Sequence, residues 1–491
     1  MFILVKSRRV ILSLLVIIAL IFLATPLARA DNPKSIVLFI GDGMASNHRT
    51  ITERVFGKKL YMNTLPITGI YSTDAANTIV TDSAASATAM ATGQKVNTEY
   101  VSTDRRGKIA YETIAEAARR LGKSVGILTT TRLTHATPAC FGAHARNRYY
   151  IKKIADQYLE QDFEVWMGGG RRDFIPKSKE NRQEEDKNIS SKRSDERDLL
   201  KEFSQKGYTI IRTKAELMAL NIGEDTKVFA AFTQSHMPYE LDRKEDLPSL
   251  AEMTAVALKI LSQNPKGFFL MVEGGKIDHA SHANAPATVV HQVLALDRAV
   301  KAGLDFLSRH PDTLILVGGD HETGGMSMGY GGFKGDKWGG YFMRPDQLLN
   351  VKHSQDWLAF KSYRMARRDP AKAVELIKET LGISDFTEEE LKKLLDAAEL
   401  TKREGKKART PNMTYMPYWL GFTYLKILSD RARVGWTSYS HTGHPILITA
   451  AGPGSEKFSG FYHNTEIAKK MAALWGITLG SKPIVKKPRK K

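Results

Sequence analysis

One cysteine, Cys140, occurs in the 491 residues. That excludes an intramolecular disulfide framework and any thiolate metal cluster. Beyond the first thirty residues there is no apolar run long enough to span a bilayer, and no internal repeat at solenoid spacing. Zinc-finger spacing and a basic-aromatic repeat are also missing, so the net charge of +19 does not mark a nucleic-acid binder. Much of that excess sits at the two ends: Lys6, Arg8, Arg9 and Arg29 at the start, and Lys482, Lys486, Lys487, Arg489, Lys490 and Lys491 in the tail. Hydrophobic residues make up 42% and charged residues 25%, globular proportions that exclude wholesale disorder. The length exceeds one ordinary domain.

Residues 1–30 read as an export signal. Lys6, Arg8 and Arg9 give a positive start, residues 10–24 are apolar apart from Ser13, and Ala28-Arg29-Ala30 is a small-x-small cleavage pattern. An uncleaved N-terminal anchor is the rival reading, because residues 10–28 carry no charge and approach the ~20 residues needed to span a bilayer. Pro26 and the Ala-x-Ala triplet favour cleavage, which makes the mature chain periplasmic or secreted. The tail at 481–491, with two prolines and six cations, is expected to be disordered; contact with anionic surfaces through charge is weighed against a plain solvated tail.

Between these ends, short apolar runs alternate with amphipathic helical patterns. Runs at 35–40, 125–128, 267–272, 313–317 and 445–450 suit strands buried on both faces. Pro248 opens a pattern in which Leu250, Met253, Ala257 and Ile260 share a helix face, and Val289, Val293, Leu296 and Val300 share another. The alternation predicts an α/β fold: a doubly wound, mostly parallel sheet sandwiched by helices. Two stretches depart from the pattern. Residues 177–197 are densely charged and predict a surface loop. Residues 326–433 begin glycine-rich and continue helical, with a capping box from Thr387 to Glu390. The expected organisation is therefore a catalytic domain over 31–325 and 434–480, with 326–433 an inserted cap region.

The chemistry gathers where the strands end. Run 35–40 leads into Gly41-Asp42-Gly43, and run 125–128 toward His135 and Thr137. Run 267–272 leads into Glu273, Asp278, His279 and His282, and run 313–317 into Asp320 and His321. In a parallel sheet the carboxyl ends of strands share one edge, where ligands bind. Singly, each residue reads as a turn or a helix N-cap. Four strands delivering carboxylates and imidazoles to one rim instead match the N/O ligands of zinc, with oxygen positions suited to magnesium. The segment from Thr81 to Gly93 is almost wholly Ala, Ser and Thr. Such a helix approaches its neighbours closely and offers free N–H groups to an anion. Ser83 at its start is either a nucleophile or, like Asp82, an N-cap; the pattern does not separate the two.

With these motifs in view, the chain resembles the alkaline phosphatase family, over roughly 33–330 and 438–476. The resemblance rests on Phe39-Ile40-Gly41-Asp42-Gly43-Met44, Thr81-Asp82-Ser83-Ala84-Ala85-Ser86, and Ala136-Thr137-Pro138 followed by Arg148. It continues with Val272-Glu273-Gly274-Gly275-Lys276-Ile277-Asp278-His279-Ala280-Ser281-His282, Gly319-Asp320-His321-Glu322-Thr323-Gly324 and His441-Thr442-Gly443. It implies a phosphomonoesterase with Ser83 as the nucleophile that becomes phosphoserine and Arg148 gripping two phosphate oxygens. It further implies Asp278, His282 and His441 on one zinc ion and Asp42, Asp320 and His321 on a second. Asp42, Thr137 and Glu273 are implied on a third metal, usually magnesium. His135 and His279 stand beside the third-metal residues where the best-known bacterial members carry Asp and Lys, so zinc or cobalt is expected to compete there.

Small-molecule phosphate monoesters are the expected substrates, and a homodimer is an assembly the resemblance leaves open. A phosphodiesterase of the same superfamily is disfavoured by the presence of Thr137 and Glu273. A sulfatase needs a Cys/Ser-x-Pro-x-Arg context that Ser83 lacks. A non-catalytic, surface-attached phosphate-binding protein is disfavoured because every apparent catalytic position is intact.

Overall fold

The computed structural model describes residues 32–329, 343–408 and 418–484. The export-signal segment, most of the glycine-rich stretch and residues 485–491 lie outside them, whereas Ser481–Pro483, expected to be disordered with the rest of the tail, form a strand antiparallel to Ile109–Tyr111. Among the described residues, no helix is long and apolar enough to cross a membrane.

The main sheet has ten strands: β1 (Ser35–Gly41), β2 (Ile67–Ser72), β3 (Ser124–Arg132), β4 (Val165–Gly169), β5 (Tyr208–Ile211), β6 (Lys227–Ala231), β7 (Phe268–Gly274), β8 (Thr313–Gly319), β9 (Ile446–Ala451) and β10 (Gly460–His463). Their spatial order is β10-β2-β9-β8-β1-β7-β3-β4-β6-β5. Only β9 runs against the rest: it pairs antiparallel with both β2 and β8. All five apolar runs are strands, and the four expected to carry chemistry, β8, β1, β7 and β3, lie side by side and parallel. Their burial on both faces is why they read as continuous apolar runs rather than alternating ones.

Alternate residues of these strands feed two cores. Val37 and Phe39 point to one face, with helices Leu250–Leu261 and Pro286–Leu307; Ile36, Leu38 and Ile40 point to the other, with helices Ile114–Arg120, Ala136–Gly142 and Thr465–Leu474. Each fully buried Leu, Ile or Phe contributes roughly 1.5–3 kcal/mol, so the central strands anchor both layers. Leu250, Met253, Ala257 and Ile260 are buried as the periodicity predicts. Helix Leu250–Leu261, however, is capped by Ser249, whose hydroxyl accepts from the Glu252 N–H, so Pro248 stands outside the helix rather than opening it. Helices Gln355–Ala366, Pro370–Leu381, Glu388–Glu404 and Trp419–Ala432 pack together, and buried residues of each join the core beneath Pro286–Leu307. The Thr387–Glu390 capping box forms. The charged stretch 177–197 contains only single 3-10 turns, yet Asp186 and Arg193 within it are buried, Asp186 beside Arg171 and Arg193 on Asp156 and Asp195.

Candidate active site

The carboxyl ends of β1, β7, β8 and β3 deliver Asp42, Glu273, Asp320 with His321, and the turn toward His135 and Thr137. Asp42 follows β1 directly, between two glycines. Gly43 has φ +75°, and a Cβ there would come within 2.8 Å of Thr323 Oγ1 and 2.9 Å of the Asp278 backbone. Only glycine lets this turn lie flat against the next element. Glu273 is within β7 itself, so its side chain is fixed by the sheet. Asp278 and His282 are four apart on helix Lys276–His282 and thus share a face. His441 arrives from far along the chain on a two-residue strand paired with Glu322–Thr323.

These side chains form three groups. Within each, the donor atoms lie within 4.8 Å of one another: Asp278, His282 and His441; Asp42, Asp320 and His321; Asp42, His135 and Glu273. In the first, His282 Nδ1 sits 2.7 Å from the Tyr439 carbonyl and His441 Nδ1 2.8 Å from the Thr81 carbonyl. Donation to those carbonyls turns both Nε2 lone pairs inward, toward Asp278 Oδ1 at 3.3 and 3.5 Å. In the second, His321 Nε2 is 3.3 Å from Asp320 Oδ2 and 3.5 Å from Asp42 Oδ1. Thr323 Oγ1 donates to Asp278 Oδ1 at 2.6 Å and meets His321 Nδ1 at 3.2 Å, tying the two groups together.

Buried oxygens without a hydrogen-bond partner test whether the site fits cations. Asp42 Oδ1 and Oδ2, Glu273 Oε1, Asp320 Oδ2 and Thr137 Oγ1 have none, nor does His135 Nδ1. Leaving buried polar atoms unpaired is costly, and here they converge. Burial, reinforced by the charges of Asp320, Asp278 and Glu273, pushes the Asp42 carboxyl well above the carboxylate range. Burial likewise lifts Glu273 to about 7 and Asp320 to about 6. Asp278 goes the other way: burial opposes ionisation, but the imidazoles of His282, His441 and His321 hold it well below the usual range. Buried carboxylates that repel one another ionise together only against added positive charge. The donor set fits cations.

Ser83 lies at this rim. Asp82, not Ser83, caps helix Ser83–Thr92: its Oδ1 accepts from the Ala85 N–H at 3.0 Å. The helix is buried along its length. The Ser83 hydroxyl is free of capping duty and sits 3.2 Å from His321 Nε2. Arg148 donates from Nη1 to Asp82 Oδ2 at 3.0 Å, and its Nη2 is 3.5 Å from His135 Nε2. Ser83, Arg148, His135, Asp278, His282 and His441 line one open pocket of about 420 Å³.

Every residue singled out from the sequence is therefore at one place, with His279 packed edge-on against His135 at a centroid distance of 5.6 Å. Four participants escaped sequence reading. His236 completes a trio of mutually perpendicular imidazoles, 5.4 Å from His135 and 4.7 Å from His279; its loop has no motif to flag it. Thr129 and Thr131 donate to Glu273 Oε2; the Thr129-Thr130-Thr131 run at a strand end was the available signal. Asp82 orients Arg148, a role hidden behind its capping role.

A mostly parallel sheet whose edge converges carboxylates, imidazoles, one serine and one arginine defines a metal-dependent hydrolase. The alkaline phosphatase family model matches residues 33–477, and the chain belongs to that family, whose members act on small phosphate monoesters with the help of metals. Alkaline phosphatase 4 of Bacillus subtilis is 32% identical over 450 residues, covering 89% of this chain and 87% of that protein. The cold-active alkaline phosphatase of a psychrophilic Shewanella sp. superposes with a TM-score of 0.74 at 30% identity, covering 90% of this chain and 99% of the other. The Thermus thermophilus alkaline phosphatase gives 0.75 at 28% identity, with coverage of 92% and 93%.

Proposed function

We propose that the enzyme hydrolyses phosphate monoesters by two in-line displacements at phosphorus, with Ser83 as the nucleophile. The observation that carries the reading is the position of Ser83 Oγ. It is released from capping by Asp82, 3.2 Å from His321 Nε2, and on the wall of a pocket that also presents Arg148.

Two zinc ions fit the groups Asp278, His282, His441 and Asp42, Asp320, His321; a third ion, magnesium in competition with zinc or cobalt, fits Asp42, Thr137 and Glu273 with His135 and His279 beside it. When bound, such ions supply positive charge to phosphoryl oxygens and lower the pKa of a coordinated hydroxyl. Arg148 binds two non-bridging oxygens with its planar fork, which a lysine would not match. Asp82 holds that fork in place, and the N-terminus of helix Ser83–Thr92 directs N–H groups at the same anion. Ser83 Oγ forms a bond to phosphorus as the alcohol leaves. Water then attacks the phosphoserine, releasing phosphate and restoring the hydroxyl. Two inversions give net retention at phosphorus. The helices between residues 346 and 432 are proposed as a cap, and residues 1–30 as an export signal.

The test compares a monoester, a diester and a sulfate ester of one chromophore, with and without chelator, and maps acid-trapped phosphate by peptide mass spectrometry. Monoester hydrolysis abolished by chelator, with phosphate on Ser83, is expected. Faster diester cleavage, or phosphate on another residue, overturns the reading.

A further inference from the structure

Beside the catalytic pocket runs an open cleft of about 730 Å³. Its lining includes Arg132, Lys152, Lys153, Arg172 and Lys192, against one carboxylate, Asp156. The two cavities meet at Tyr149, which lines both. Arg132 links them a second way: it ends β3, and its carbonyl accepts the His135 N–H at 2.9 Å.

The negative charge near the cleft is already engaged. Asp156 receives Lys152 at 2.8 Å, Arg193 at 2.9 Å and Arg197 at 3.1 Å. Lys152 also reaches Asp195 at 2.9 Å. Asp173, fully buried, is shared by Arg132 at 3.9 Å and Arg172 at 3.7 Å. Lys153 and Lys192 are exposed, and neither has a carboxylate within ion-pair distance among the described residues. Cations gathered in a concave wall reinforce one another's field and raise the local concentration of anions. The site proposed for phosphate hydrolysis opens directly onto that field.

We propose that this cleft is a second anion subsite, which takes a distal phosphate group of a substrate whose terminal monoester phosphate sits at Ser83. The substrate class is a small, extended molecule with two or more phosphate groups. Arg132 and Arg172 form the cleft's half-buried side, held on Asp173, and Lys153 and Lys192 supply the unpaired charge. The subsite rests on the phosphomonoesterase reading and adds a substrate preference to it.

The test uses two substrates with the same reacting group, hexyl phosphate and 1,6-hexanediol bisphosphate. After correction for the bisphosphate's two ends, its kcat/KM should exceed that of hexyl phosphate by about tenfold at low salt, the size expected of charge-assisted contacts. The advantage should fade toward 1 M salt, where the screening length is about 3 Å. The double variant K153E/K192E should bring the ratio close to one, with a smaller loss for hexyl phosphate, whose single phosphate feels the general field but makes no contact in the cleft. A control of equal net charge, K402E/K406E on and just beyond helix Glu388–Glu404, should keep the wild-type ratio. A ratio near one in wild type, or an equal loss in the control, overturns the subsite while leaving the activity intact. No hydrolysis of hexyl phosphate by wild type overturns both readings.

Discussion

His282 and His441 face each other with their Nε2 atoms 3.2 Å apart, while each ring gives its Nδ1 hydrogen to a backbone carbonyl. Two lone pairs at that separation, beside the Asp278 carboxylate, need a cation between them. Removing metal should therefore lower stability as well as activity. Apo-enzyme prepared with chelator should melt lower than holo-enzyme by on the order of 5–10 °C, and zinc should restore both properties. Scanning calorimetry with activity recovery decides; an unchanged Tm would mean that the imidazole pair is held by protons alone.

Ser83→Ala should fold and keep its metals, because Asp82 carries the cap. Monoesterase kcat should fall by about a thousandfold or more, as when a nucleophile is removed from a working unit. Metal content and circular dichroism serve as controls. Wild-type turnover in this variant would move the nucleophile elsewhere.

Arg148→Ala should raise KM and weaken inhibition by inorganic phosphate, a loss of about 1–3 kcal/mol for a charge-assisted pair. Asp82→Asn keeps an N-cap oxygen but removes the carboxylate charge that holds Arg148, so it should reproduce part of the Arg148 effect with little change in Tm. Phosphate inhibition constants for the two variants check this. Identical inhibition in all three proteins would assign the clamp to another cation, Arg146 first.

The imidazoles of His135 and His279 near Glu273 are proposed to favour zinc or cobalt over magnesium at the third position. His135→Asp should shift the preference toward magnesium by adding an anionic oxygen suited to an octahedral ion. Metal analysis after dialysis against each ion measures the shift. Tight magnesium retention by wild type against excess zinc would make His135 and His279 bystanders.

Outside the candidate site, Glu116 completes the capping box of helix Ile114–Arg120 by accepting the Thr113 N–H, and it lies 3.0 Å from His144 Nε2. Burial opposes its ionisation, but hydrogen bonding and charge from His144 lower its pKa to about 2. A carboxylate depressed in the folded state stabilises above its unfolded pKa, and that contribution is lost as pH falls through the folded value. Glu116→Gln should cost on the order of 2–3 kcal/mol from pH 8 to 5, with the difference shrinking below about pH 4.5. Urea midpoints at pH 7, 5, 4 and 3 provide the measurement; a pH-independent difference would assign the loss to packing.

Much of the candidate site was legible because Asp42, Glu273, Asp320 and His321 sit at the ends of strands buried on both faces, where local sequence encodes both the strand and the candidate ligand. β1, β7 and β8 each announce themselves this way. β2, β5 and β10 did not, since they are short and partly exposed and their pairing is set by neighbours distant in sequence. His236 was silent for a related reason: only the fold brings its loop against His135 and His279. Asp82 shows the opposite limit, a residue whose evident local duty concealed its contact with Arg148.

The antiparallel strand β9 has a consequence for the order in which the molecule can be assembled. β2 emerges early in synthesis, yet its Ile70 pairs with Leu447, and β9 alone joins β2 and β10 to β8. A nascent chain that has produced β1, β3, β7 and β8 can align the middle of the sheet while β2 waits for its neighbour, a closure over nearly the whole chain that slows folding. His441 lies just ahead of β9 and comes out in the same late stretch. The Asp42, Asp320 and His321 group is thus complete well before Asp278 and His282 receive their third partner, and the polypeptide remains without a finished site until almost all of it has been made.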